Sequence, residues 1–318
     1  MSRVLRSHRC NGEASTESLD RSVPVSELAR PAFQLKRQKP IPIEVLPNTL
    51  TSATTGLSRK QIATLNAKKQ KLLSSPSQAS NSIARLVKRG HISAAAAQAT
   101  LVFAQHEAGT AVCIAASGLV LTCSHCVAES PEEYSAGDPK WLIFSSGQVV
   151  RAKCVAWDEK RDLALLRITA ADRSANCTDA SSMVFPFAEL ASQPPLFIAG
   201  NKQRTPVICI GHPGSEDLEV VPTSESSEPV LTDYDVLHVS RGYYHGLAPD
   251  QDVQDNSEIG ALQHDCWTYW GHSGAPLIDS KSGRIVGLHS SWDDETGMRR
   301  GIAWEALHEF MQEWCEKV

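Results

Sequence analysis

The run Trp270-Gly271-His272-Ser273-Gly274-Ala275-Pro276 places a serine between glycines, just ahead of the apolar pair Leu277-Ile278. Those residue types suit acyl transfer. A nucleophilic serine needs backbone N–H groups close to the oxygen that becomes negative, and a residue without a side chain, here Gly271, permits that approach. A hydroxyl is a weak nucleophile at neutral pH, so it also needs an imidazole to take its proton, and the imidazole needs an acid to hold its tautomer. Two upstream segments offer them. Gly118-Leu119-Val120-Leu121-Thr122-Cys123-Ser124-His125-Cys126-Val127 reads as an apolar strand ending in a polar corner that holds His125. Asp162 opens the apolar run Leu163-Ala164-Leu165-Leu166-Arg167-Ile168 after the turn Asp158-Glu159-Lys160-Arg161. Each segment alone is weak, since an Asp before a strand is usually a turn residue; the combination is informative.

Elements must bring these side chains together. Short apolar runs punctuated by Gly, Ser, Asp or Pro recur from about residue 98 onward, which predicts an all-β body. Leu307, Phe310, Met311 and Trp314 then fall at helical spacing, predicting a C-terminal helix over 305–317 with one apolar face.

The order His, Asp, Ser in Leu-Thr-x-x-His, Asp-Leu-Ala-Leu-Leu and Gly-x-Ser-Gly-x-Pro resembles the trypsin-like, chymotrypsin-fold serine proteases, most closely their Deg/HtrA-type branch. Gly109-Thr110-Ala111-Val112 through His125 is similar to that branch's first hairpin, and Ser146-Gly147-Gln148 through Ile168 to its second. Val207 to Gly214 resembles the opening of the second barrel; Ile285 to His289, followed by Gly301 to Trp304, resembles the last strand pair. The resemblance implies two antiparallel β-barrels, about 98–190 and 195–304, within a protease domain over 98–318. It implies a serine endopeptidase with catalytic His125, Asp162 and Ser273, an oxyanion hole from the N–H groups of Gly271 and Ser273, a covalent acyl-enzyme, and no metal or organic cofactor. Trp267, Thr268 and Tyr269, with His289, Ser290 and Ser291, are expected to line the substrate pocket. None of them is an acid, so cleavage after Lys or Arg is not expected.

Departures from the family pattern carry information. His272 stands where secreted relatives carry an Asp that pairs with a new N-terminus, so activation by that ion pair is not expected. Cys123 and Cys126 form a Cys-x-x-Cys, but no second pair supplies further zinc ligands. The peptide-binding domain that the branch often carries downstream is not expected after Val318.

Charge is unevenly spread. Residues 1–97 hold 16 Lys/Arg against 5 Asp/Glu, and residues 98–318 hold 15 against 31. Residues 1–97 therefore read as a basic extension, disordered at first and then helical. Residues 1–55 are rich in Ser, Thr and Pro and poor in aromatics, a composition that buries little. Ser58 opens a Ser-x-x-Gln capping box before one helix, and Ser82 to Arg89, stopped by Gly90, predicts another. Such an arm is expected to be solvated, to bind an acidic partner or nucleic acid, or to dock on the chain's own acidic body. Between Gly214 and Asp265 twelve acids face one base, Arg241, which reads largely as an inserted surface loop. Nine cysteines, no apolar leader and no apolar run of about 18 residues lead us to expect the cytoplasm or nucleus and no membrane association. Arg3, Arg6 and Arg9 ahead of the first acid keep a mitochondrial address open. The alternatives weighed are a protease-fold binding module without turnover and a nucleic-acid-associated regulator acting through the arm.

Overall fold

The computed structural model describes residues 42–74, 86, 90–105, 109–172, 183–198, 204–217, 220 and 230–317. The apolar runs form strands. β2 (Thr100–Phe103), β3 (Thr110–Ala115), β4 (Leu119–Thr122), β5 (Lys140–Phe144), β6 (Val149–Asp158) and β7 (Leu163–Ala171) pair antiparallel in the order β7-β4-β3-β2-β5-β6, and β6 returns to β7 to close the first barrel. β8 (Pro206–Gly211), β9 (His238–Leu247), β10 (Leu262–His264), β11 (Pro276–Asp279), β12 (Ile285–Trp292) and β13 (Arg299–Ala303) close the second in the order β10-β13-β12-β11-β8-β9. Closure gives each of these twelve barrel strands a partner on both sides. β4 and most of β7 are buried, because every residue of a small barrel's strand meets either the interior or a covering element.

The final helix, Trp304–Lys317, buries Leu307, Phe310, Met311 and Trp314, the predicted face, and begins one residue before the predicted start. It bridges the two halves. Its Trp314 ring lies under the Arg167 guanidinium of β7 at 5.7 Å, while the Trp304 indole N–H donates to the Ala191 carbonyl at 2.7 Å.

The basic extension is less separate than composition implies. β1 (Glu44–Val45) adds to β7 in parallel, and Ile43, Leu46, Leu57 and Leu65 join the first barrel's hydrophobic cluster. Helix α1 spans Ser52–Thr55 and α2 spans Arg59–Ser74, the latter opened by the predicted box: Ser58 N–H donates to Gln61 Oε1 at 2.9 Å and Gln61 N–H to Ser58 Oγ at 3.2 Å. Lys68 Nζ donates to the Phe103 carbonyl at 2.9 Å and Lys69 pairs with Asp172 at 2.6 Å, so two cations of the arm serve its own barrel. Helix α3 (Ala94–Ala99) runs across the expected boundary at 97/98 directly into β2. The helix predicted over 82–89 lies, apart from helical Leu86, outside the described residues, as do residues 1–41. The acidic 214–265 stretch also contains β9 and β10, so it is partly barrel wall rather than one inserted loop.

The barrels meet at the turn that holds Ser273. Gly109 N–H donates to Gly271 O at 3.2 Å, Thr110 N–H to Ser273 O at 2.9 Å and Thr110 Oγ1 to Gly271 O at 2.8 Å. Gly274 has φ +82°, and a Cβ there would lie 2.1 Å from the Thr110 carbonyl, so only glycine allows this closeness.

Candidate active site

His125 sits in a single 3₁₀ turn, Ser124–Cys126, just past the end of β4, and Asp162 immediately precedes β7. Because β4 and β7 are paired neighbours, Thr122 opposite Ala164, these two strand ends share one corner of the first barrel. His125 Nδ1 lies 2.8 Å from Asp162 Oδ1 and 3.0 Å from Oδ2. The carboxylate also accepts Ser124 Oγ–H at 3.0 Å and the His125 backbone N–H at 3.2 Å, so Asp162, 5% exposed, is held by three donors. It adopts φ +54°, a left-handed conformation that Asp tolerates better than most residues.

Ser273 approaches from the other barrel, in the turn before β11. It lines one cleft of about 620 Å³ with His125 and Asp162, and its hydroxyl donates to the Ser290 carbonyl at 3.1 Å. Residues 269–272 form a turn closed by His272 N–H to Tyr269 O at 3.0 Å, with φ +96° at Gly271, the value a type II turn requires at its third residue. In the Trp270–Gly271 peptide the carbonyl accepts Gly214 N–H. The N–H of Gly271, on the opposite edge of that trans peptide, is turned away from Gly214.

Behind the turn lies a set of buried histidines. His264 Nε2 and His289 Nδ1 are 3.1 Å apart. The His272 ring lies 6.3 Å from His289, 6.1 Å from His238 and 5.5 Å from Trp267. Burial pushes His264 and His272 down to about 3, and His289 well below its ordinary value, with His264 adding repulsion there. All three are neutral bases at pH 7. His272 therefore packs as an uncharged ring against His238 and Trp267. Cys123 Sγ, His125 and Asp162 offer ligand atoms within 4.8 Å of one another, but burial and the Asp162 charge raise the Cys123 thiol well above its ordinary value and leave it a neutral group.

The structure divides the expected pocket residues. Tyr269, His289, Ser290 and Ser291 line the cleft. Trp267 does not; it is 38% exposed and packs against His238 at 4.4 Å and Tyr234 at 5.4 Å. Thr268 is buried in the wall segment, with its hydroxyl unpartnered among the described residues. Sequence reading missed Trp270 and Trp292, whose rings meet edge to face at 4.5 Å, and a rim of carboxylates from Glu129, Glu133, Glu159, Glu258 and Asp294. Trp270 beside Gly271 was a visible signal. The rim comes from four separated loops, Glu129 and Glu133 sharing one, and leaves no local pattern.

Arg161 also escaped sequence reading, having looked like an ordinary turn residue. Its guanidinium donates to Gln254 Oε1 at 2.7 Å, to Asp158 Oδ2 at 2.8 Å and to Glu313 Oε1 at 2.6 Å. It thus ties the turn before Asp162 to the second barrel's loop and to the C-terminal helix. Arg161→Ala is expected to lower kcat by about 10- to 100-fold through displacement of Asp162, with KM little changed. A steady-state comparison with wild type checks this, and loss confined to KM would contradict it.

Among the described residues no helix is long and apolar enough to cross a membrane. No curated protein matches the chain. Among solved structures it is similar to an HtrA-type protease, AlgW, determined with a decapeptide, at 21% identity, covering 65% of this chain and 51% of that one with a TM-score of 0.43. It is also similar to a serine endoprotease from Yersinia pestis, at 18% identity, covering 71% and 65% with a TM-score of 0.46. The chain thus spans between half and two thirds of those proteins. Residues 109–288, which run from the inter-barrel contact at Gly109 through His125, Asp162 and Ser273 to β12, match the profile of the trypsin-like peptidase domain. Since that match covers more than half of its length, the chain belongs to the trypsin-like peptidase family.

Proposed function

We propose that this chain is a serine endopeptidase that hydrolyses peptide bonds through Ser273, His125 and Asp162. The observation that carries the reading is the pairing of His125 Nδ1 with both Asp162 oxygens, in the cleft that also holds Ser273. With Nδ1 donating to the carboxylate, Nε2 is the basic nitrogen, as a proton acceptor for a hydroxyl must be. Ser273 Oγ rests on the Ser290 carbonyl; rotation about its Cα–Cβ bond aims the proton at His125. Attack on the substrate carbonyl transfers that proton to Nε2 and leaves a negative oxygen, which Gly271 N–H and Ser273 N–H receive. His125 returns the proton to the leaving amine, and water, deprotonated by the same imidazole, releases the acyl group from Ser273. Asp162 offsets the imidazolium charge throughout.

Peptide or protein is the substrate class of this reading. The six cysteines that are unpaired thiols among the described residues support a reducing compartment, the cytoplasm or nucleus. A fluorophosphonate probe should label wild type and fail to label Ser273→Ala. An unlabelled wild type would favour a binding module on the same fold.

A further inference from the structure

The proposed reaction requires the Gly271 N–H to face the oxygen that becomes negative, and glycine is the residue least able to hold a direction by itself. Without a Cβ its φ and ψ range widely, so the peptide units on either side turn unless bonds from outside fix them. Both flanking carbonyls are fixed here. Trp270 O accepts Gly214 N–H, and Gly271 O accepts Thr110 Oγ1–H at 2.8 Å and Gly109 N–H at 3.2 Å. With the two carbonyls tied, the φ of +96° at Gly271 is set, and with it the direction of the N–H between them.

The two ties share one origin. Thr110 Oγ1 also accepts His212 N–H at 2.9 Å. The Gly271 carbonyl can only accept and the His212 amide can only donate, so the hydroxyl gives its proton to the first and a lone pair to the second. His212 directly follows β8 and stands two residues before Gly214. One fully buried side chain therefore holds the Gly271 carbonyl directly and anchors the segment 212–214 that holds the Trp270 carbonyl. Thr110 is itself secured on both sides of its backbone. Its N–H donates to Ser273 O at 2.9 Å, and its carbonyl accepts Thr122 Oγ1–H at 2.7 Å from the end of β4, three residues before His125. The hydroxyl thus stands on the first barrel and reaches two turns of the second.

We propose that Thr110 is a positioning residue for the reaction: its hydroxyl, bridging Gly271 O and His212 N–H, keeps the Gly271 N–H in the orientation that receives the oxyanion. The proposal rests on the endopeptidase reading and goes beyond it, because Thr110 is wholly buried, does not line the cleft and acts only through Gly271. Loss of the hydroxyl removes the acceptor of the His212 N–H and leaves Gly271 O on the longer bond from Gly109. The glycine peptides are then free to turn. Valine fills the same space as threonine but bridges nothing, whereas serine keeps the bridge and loses a methyl group.

The test uses the full chain and a fluorophosphonate. Ser273 Oγ bonds to phosphorus, fluoride leaves, the hydroxyl proton passes to His125, and the negative charge that develops on the phosphoryl oxygen needs the same N–H donors as a peptide carbonyl does. Thr110→Val is expected to lower the maximal labelling rate by about 10- to 100-fold, short of the roughly 10²- to 10³-fold for deleting an oxyanion donor outright, because the Gly109 bond remains. The probe concentration and the pH that give half the maximal rate are expected to stay at their wild-type values, since the cleft, His125 and Asp162 are untouched. Thr110→Ser is expected to recover the rate to within about threefold, because the bridge is restored. A folded Thr110→Val that labels within about twofold of wild type overturns the proposal, as does a Thr110→Ser as slow as the valine variant. So does a loss of rate that only follows the folded fraction measured by calorimetry. If the valine variant does not fold, Thr110→Ser and Thr110→Ala, which differ by the hydroxyl alone, give the same comparison, and equal rates overturn the proposal. A wild type inert to the probe overturns the endopeptidase reading itself, a result distinct from a labelled wild type matched by its valine variant.

Discussion

Ser273→Ala is expected to lower kcat on a cleavable peptide by about 10⁶-fold, with residual hydrolysis still above the uncatalysed rate because the proposed oxyanion donors and the cleft persist. The size follows from interdependence. Without the hydroxyl, His125 and Asp162 have no nucleophile to activate, so the loss matches that of disabling the three together. Structure should be unaffected, since the hydroxyl's one described bond is to the Ser290 carbonyl, which water can replace. Single-turnover assays alongside wild type check the value, and a variant retaining activity within tenfold would place the chemistry elsewhere.

Stability is expected to fall steeply between pH 6.5 and pH 5. The folded chain keeps His264 and His272 neutral down to about 3, and burial holds His289 well below its ordinary value, whereas the unfolded chain protonates all three near 6.5. Below 6.5 the unfolded state binds more protons, so the folded state loses stability as pH drops and regains it as pH rises. Each imidazole costs about 2 kcal/mol by pH 5, and the three together on the order of 4–6 kcal/mol, a large part of a typical domain's margin. Calorimetry at pH 7.5, 6.5, 5.5 and 5.0 should show the melting temperature dropping across this window, and His272→Phe should flatten the slope. A melting temperature constant over the range would rule out burial of neutral histidines.

The parts legible in the sequence were those with a local cause. His125 and Asp162 each sit beside a continuous apolar strand, the helix after Ser58 announces itself by its capping box, and the last helix shows its period. What stayed hidden depends on partners distant in the chain. β1 is two residues long and carries no period; its pairing with β7 joins positions 126 apart in the sequence. The His264–His289 contact exists because β10 and β12 both flank β13 in a closed barrel, a relation no spacing encodes. β9 sat unnoticed in an acid-rich stretch because its alternating burial, with Ser240, Tyr244 and Gly246 inward, mixes small and polar residues. The direction of Trp267 was equally open, since its neighbours Tyr234 and His238 come from a different loop and strand.

The left-handed backbone at Asp162 makes this the least replaceable position in the cleft. Conformation there admits glycine, asparagine and aspartate at low cost, while the proposed support of a His125 imidazolium admits only a carboxylate. Aspartate alone belongs to both sets. Mutational drift at this position therefore has no neutral path: asparagine would keep the shape and lose the charge, glutamate would keep the charge and strain the shape.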